Sequence, residues 1–182
     1  MRTREHEPTR STTVLAVVRD GRAAMAGDGQ VTAGQTILKA SARKVRRLHN
    51  GTVLAGLAGS AADGLHLLDR FETALDSHGG ALQKAAIEMA KFWRSDKILR
   101  RLEAQLAVAD KEHVLLLSGN GDVVEPEDGI VAVGSGAAYA LAACRALARH
   151  TELPPGEMAV EALRIAAQIC IFTNDQIYLE EL

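Results

Sequence analysis

Apolar and polar residues change their period along this chain so as to divide it into two β blocks, each followed by a pair of helices. Residues 12–18 are β-branched and apolar, Asp20-Gly21 suits a tight hairpin turn, and residues 22–26 return as a short strand. Residues 43–48 and 52–57 repeat the arrangement about Asn50-Gly51. Over residues 60–78, Leu65, Leu68, Phe71 and Leu75 then recur at helical spacing, and Ser60 with Asp63 has the form of a capping box. Gly79-Gly80 stops this helix, and Leu82, Ala86, Met89, Ala90 and Trp93 predict a second one running to about Leu99.

Strand signals resume at residues 106–109, 114–117, 123–125 and 130–133, with Gly119-Asn120-Gly121-Asp122 as a turn. Helices are predicted at 137–150 and 156–172, separated by Leu153-Pro154-Pro155, and a last strand at 176–179. Strands grouped with strands, and helices with helices, argue for antiparallel sheets over βαβ units. The expected fold is α+β, a sandwich of two sheets with helices outside. Residues 1–11 carry charge and no large apolar residue after Met1, which reads as an unfolded leader ahead of one domain spanning 12–182.

Composition narrows the classes. With 182 residues, 47% of them hydrophobic, the chain can bury a core without disulfide staples, and Cys144 and Cys170 read as buried reduced thiols. Its apolar runs fall short of the roughly 20 residues of a membrane helix, and its first residues lack the apolar centre of a secretion signal. A cytoplasmic protein without a membrane partner is expected. A net charge of -2 and 3% aromatic residues weigh against nucleic acid.

Candidate chemistry lies in short polar segments. Gly134-Ser135-Gly136 follows a strand and opens a helix, but Tyr139 stands where a dinucleotide fingerprint wants its third glycine, so a tight turn aiming Ser135 inward is expected over a phosphate cradle. GxxxxGK[ST] is missing, so ATP hydrolysis is not expected of this chain. Arg43, Lys44, Arg46 and Arg47 form a basic run that reads as a solvated strand face or a phosphate patch. Strand alternation sets Lys44 and Arg46 opposite Arg43, Val45 and Arg47, so one face can turn a lysine into a site. Gly27-Asp28-Gly29 reads as a turn or as a buried anion. The six histidines lack zinc spacing and read as surface residues, and a GxSxG elbow is absent from the sequence.

In order, Thr12-Thr13-Val14, Gly27-Asp28-Gly29-Gln30-Val31-Thr32, Ala42-Arg43-Lys44-Val45-Arg46-Arg47-Leu48, Ala58-Gly59-Ser60-Ala61-Ala62-Asp63 and Gly134-Ser135-Gly136 resemble the HslV (ClpQ) peptidase family, bacterial relatives of proteasome β-subunits. The resemblance continues through Trp93-Arg94-Ser95-Asp96, Arg100-Arg101-Leu102-Glu103-Ala104, Ile169-Cys170-Ile171-Phe172-Thr173-Asn174 and Leu179-Glu180-Glu181-Leu182, covering essentially everything after Ser11. It implies a four-layer α-β-β-α N-terminal nucleophile hydrolase, a threonine endopeptidase. Thr12 would be the nucleophile once the chain is cut after Ser11, with cuts that expose Ser11 or Thr13 as the alternatives. A free α-amine can then serve as general base toward its own hydroxyl, which an amide nitrogen cannot.

By the same resemblance Lys44 would favour the neutral amine, Asp28 would hold Lys44, Ser135 would hydrogen-bond near the amine, and the Gly59 N–H would form the oxyanion hole. Two stacked hexameric rings, the HslU (ClpY) ATPase as partner and unfolded proteins as substrates are also implied. So is a monovalent cation, typically sodium, on the carbonyls of Ala167, Cys170 and Thr173, where Ala167 replaces a glycine often found. The competing expectation is a catalytically silent ring-forming scaffold that never exposes Thr12.

Overall fold

The computed structural model describes residues 12–59, 61–96 and 104–182. In chain order its strands are β1 (Thr13–Arg19), β2 (Arg22–Gly27), β3 (Val31–Ala33), β4 (Thr36–Lys39), β5 (Val45–Leu48) and β6 (Val53–Ala58), then β7 (Gln105–Ala109), β8 (Val114–Ser118), β9 (Val123–Val124), β10 (Ile130–Gly134) and β11 (Tyr178–Glu181). The helices are α1 (Ala61–Ser77) and α2 (Leu82–Ser95) between the β blocks, and α3 (Ala137–His150) and α4 (Pro155–Ile169) before β11.

Asp20 and Gly21 both take positive φ, 54° and 71°, and so close the β1–β2 hairpin in the sense that matches strand twist. The sheets do not follow the two sequence blocks. β10 pairs with β1 and β11 with β2, giving an antiparallel sheet of order β10-β1-β2-β11, while β5 to β9 form a second sheet in chain order. Period-two alternation then decides what each strand face buries. Val14, Ala16 and Met25 meet Val45, Leu54, Ala107 and Ala109 between the sheets. Leu15, Val17 and Ala26 face the other way, onto Cys144 of α3 and Met158 and Leu163 of α4. Leu57, Leu106 and Leu117, on the far side of the second sheet, meet Leu67, Phe71, Met89 and Trp93 of α1 and α2. The layers run helix pair, sheet, sheet, helix pair. β1 is covered on both faces, which is why it reads as an unbroken apolar run.

Several expected boundaries shift. The β3–β4 hairpin was not expected, because β4 is exposed throughout and shows no core-facing period. α4 was expected to reach Phe172 but ends at Ile169, where Cys170 turns to extended backbone and the Thr173 N–H closes onto the Cys170 carbonyl at 3.0 Å. Apolar residues continue past that point, yet Ile171 is 79% exposed. The last strand lies at 178–181, two residues beyond the expectation. β5 begins at Val45, with Val45 and Leu48 buried and Arg46 and Arg47 exposed, so the strand alternation expected to select a face for Lys44 does not apply. Leader residues 1–11, Ser60 of the capping box and the segment 97–103 lie outside the described residues. Both cysteines are free and buried, and burial pushes the Cys144 thiol up to about 12. Among the described residues, no helix is long and apolar enough to cross a membrane.

Candidate active site

β1 delivers two threonines to the interior. Thr12, just ahead of the strand, is buried, and Thr13 is fully so. The Ser135 N–H donates to the Thr12 carbonyl at 2.9 Å. This approach requires Gly134, which has φ 98° and where a Cβ would stand 1.8 Å from the Thr12 oxygen. The next glycine brings its N–H within 2.9 Å of Thr13 Oγ1, which also shares a 2.7 Å hydrogen bond with Thr173 Oγ1. The Gly134-Ser135-Gly136 turn therefore grips the chain itself. Ser135 is exposed, and its contact with Thr12 runs through the backbone N–H, which corrects the expectation of an inward-aimed serine.

Beside the threonines lies an ion pair largely shielded from water. Asp28 is 0% exposed. Its Oδ1 accepts from the Thr13 N–H at 2.7 Å and from Lys44 Nζ at 2.7 Å. Its Oδ2 accepts from the Gln30 N–H at 2.9 Å and the Asn174 N–H at 3.3 Å. Of the two readings of Gly27-Asp28-Gly29, the buried anion is the one realised, since four donors replace the water a carboxylate loses on burial. Lys44 Nζ also donates to the Gln30 carbonyl at 2.6 Å, and its side chain is 7% exposed. Burial pulls the Lys44 pKa below 10.5, while the charge of Asp28 and its hydrogen bond oppose the fall.

The neighbours of Lys44 leave in the other direction. The Arg43 guanidinium lies 4.7 Å over the Tyr178 ring, and Arg47 bonds the Glu180 carboxylate and the Glu181 carbonyl. Arg43 and Arg47 are thus tied to β11 on either side of Lys44, while Arg46 is exposed.

Gly59 follows β6 with φ 138°, a conformation reserved for glycine. The end of β6 adjoins the Gly134 turn, since a Cβ on Gly134 would stand 3.3 Å from the Ala58 Cβ. Ala167 sits in the last turn of α4, whose carbonyls run out of intrahelical donors, with Cys170 as the cap and Thr173 beyond it. Neutral carbonyl oxygens at a helix C-terminus fit a hard monovalent cation, so the donor set suits the implied ion. Thr173 joins this turn to the threonine pair through its hydroxyl. From the sequence, Thr173 has only the cation carbonyl that the resemblance implies and Asn174 has no role, because nothing local separates a polar turn residue from one that reaches back to Thr13 or Asp28.

A family model described as proteasome subunit matches residues 9–182. The chain is 56% identical over 172 residues to the ATP-dependent protease subunit HslV of Chlorobium phaeobacteroides (strain BS1), with 94% of each chain covered. The crystal structure of eukaryotic HslV from Trypanosoma brucei superposes with a TM-score of 0.88 at 42% identity, covering 93% of this chain and 98% of that one. Thiobacillus denitrificans BPH in complex with Epoxomicin is similar in fold, with a TM-score of 0.75 at 24% identity over 93% of this chain and 97% of that one. Matched to the proteasome subunits over nearly its whole length, and to an HslV subunit at more than half of the aligned residues, the chain belongs to the proteasome subunit family, among its HslV protease subunits.

Proposed function

We propose that Thr12 is the nucleophile with which this proteolytic subunit of an ATP-dependent protease cuts peptide bonds, and that residues 1–11 are a leader removed before it can act. The observation that carries this reading is the buried Lys44–Asp28 pair, bonded to the backbone of Thr13 one residue from Thr12. A charged lysine shielded from water is costly unless it is paired, and here it is paired with a carboxylate that also holds the backbone N–H of the residue after Thr12. Thr13 is the weaker nucleophile candidate, because its hydroxyl is already bound to Gly136 and Thr173.

Cutting the Ser11–Thr12 bond frees an α-amine with an ordinary pKa near 8. That amine takes the proton of the Thr12 hydroxyl as Oγ1 attacks the substrate carbonyl. The Gly59 N–H stabilises the resulting oxyanion, and the Lys44 ammonium keeps the amine neutral and steadies the developing alkoxide. The amine then gives its proton to the leaving nitrogen, an ester to Thr12 remains, and water releases the second product by the same proton route. Ser135 fixes the Thr12 carbonyl through its N–H, and its exposed hydroxyl would turn toward the amine once the cut has freed it. The carbonyls of Ala167, Cys170 and Thr173 would hold a monovalent cation, whose charge would stiffen the turn that carries Thr173.

In the wider reading twelve copies stack as two six-membered rings in the cytoplasm, and an HslU-type ATPase unfolds proteins and feeds them in. Intact mass of the purified particle and hydrolysis of a fluorogenic peptide by wild type and Thr12→Ala test the core of the proposal. A chain beginning at Thr12, active as wild type and silent as Thr12→Ala while still assembling, is the expected result. Retention of residues 1–11 in an inactive particle would point to a silent scaffold instead, and near wild-type turnover by Thr12→Ala would sink the mechanism.

A further inference from the structure

Asp28 and Lys44 sit on segments 16 residues apart, and neither belongs to a strand that could hold them in register. Besides the Ala42–Gly29 backbone bond, the side chain that bridges the segments is Asn174, in the stretch between α4 and β11. Its backbone N–H donates to Asp28 Oδ2 at 3.3 Å, and its side-chain Oδ1 accepts from the Gly29 N–H at 2.9 Å. Its Nδ2 donates to the Ala40 carbonyl at 2.9 Å, on the loop that leads into Lys44. The gap it spans is tight. The Ala42 N–H reaches the Gly29 carbonyl at 2.9 Å, and a Cβ on Gly29 would stand 2.2 Å from the Ala40 oxygen.

From these contacts we infer that Asn174 is a positioning residue for the Lys44–Asp28 pair, a side chain that locks the turn carrying the carboxylate onto the loop carrying the ammonium. Only an amide fits both ends. Gly29 offers a donor and needs an acceptor, while Ala40 offers an acceptor and needs a donor. Aspartate satisfies the first and sets oxygen against oxygen at the second. Asn174 touches neither Thr12 nor the place a substrate carbonyl would take in the proposed mechanism, on which this inference rests. It acts on the rate through the placement of Lys44.

The test uses full-length chain, processed and assembled, with a fluorogenic peptide. Asn174→Ala and the isosteric Asn174→Asp should lower kcat by about tenfold to a hundredfold, the range that a small misplacement of a catalytic group produces. KM should stay within about twofold, because substrate contacts are untouched. Ring assembly and Tm should stay close to wild type. A kcat within about twofold of wild type in Asn174→Ala overturns the inference, as does a loss matched by an equal loss of assembled particle. Should Asn174→Ala fail to assemble, the assembled Asn174→Asp particle decides in the same way. Lys44→Ala, run alongside, separates the two levels. A fully active Lys44→Ala defeats the proposed mechanism itself, whereas an inactive Lys44→Ala beside a fully active Asn174→Ala defeats only the role given to Asn174.

Discussion

Lys44 shows how much chemistry one side chain acquires from its surroundings. In the basic run it is one cation of four. In the fold it alone turns inward, where burial and Asp28 pull its pKa in opposite directions and burial prevails. Lys44→Arg should therefore lose most peptidase activity although charge is kept, since a planar guanidinium does not fit a compact ammonium site. Steady-state kinetics on an assembled particle measures this, and full activity would make Lys44 a bystander. The sign of the shift also sets a pH dependence. A lowered lysine pKa means that the proton leaves below 10.5, so activity that needs the ammonium should fall on the alkaline side before that value, and the acid limb should follow the Thr12 amine, which the Lys44 charge holds below the ordinary α-amine value of about 8. A rate that stays flat through pH 10.5 would exclude a charged Lys44 from the mechanism. Asp28→Ala should cost about 3–5 kcal/mol of stability in denaturant unfolding, because it strands a buried cation.

Among the elements, the turn from β10 into α3 decides where Thr12 sits. Its glycines are required by contact as much as by dihedral angle, and the two kinds of requirement predict different outcomes. At Gly51, φ is 84° and nothing stands within 4 Å of a built Cβ. Gly51→Ala should cost about 1–2 kcal/mol through backbone strain and leave activity unchanged. At Gly134 the same strain is joined by a Cβ 1.8 Å from the Thr12 carbonyl. Gly134→Ala should displace the β10–α3 turn from Thr12, abolish peptide hydrolysis and lower Tm well beyond the Gly51 variant. Equal thermal shifts and equal activities in the two variants would show that the close approach does not matter. β11 contributes at this scale too, holding Arg43 and Arg47 on either side of Lys44 through Tyr178, Glu180 and the Glu181 carbonyl.

At the scale of the whole molecule, the site is assembled from six distant parts of the chain: the start of β1, the turn after β2, the loop before β5, the end of β6, the turn after β10 and the segment after α4. That construction suits partner control, since a small shift between the layers moves several site elements at once. If an HslU-type ATPase binds the active arrangement better than the inactive one, it raises the peptidase rate by that difference in affinity and no more. Peptide hydrolysis by the particle alone, with ATPase lacking nucleotide, and with ATPase plus ATP should rise across the three, and folded proteins should be degraded only in the last. Equal rates in all three, with unaided digestion of a folded substrate, would exclude gating by a partner.

The β-branched, apolar run of residues 12–18, the Asp20-Gly21 and Asn50-Gly51 turns and the helical spacing of Leu68, Phe71, Leu75, Met89 and Trp93 already determine most elements and the antiparallel class, because periodicity and turn chemistry are local properties of the chain. Thr12, Asp28 and Lys44 could be singled out from sequence only through the resemblance to a family. Their local signals were two threonines in a strand, a turn aspartate and one lysine of a basic run. Tertiary structure decided the rest. It sent β10 and β11 to flank the first hairpin, turned Lys44 inward while Arg43 and Arg47 were taken by β11, and presented the backbone of Ser135 to Thr12. It also returned Thr173 and Asn174 to residues 160 and 146 positions earlier in the chain. Contacts across such separations depend on how layers stack and on which buried donor is left to satisfy a buried carboxylate, and neither is written in any window of the sequence.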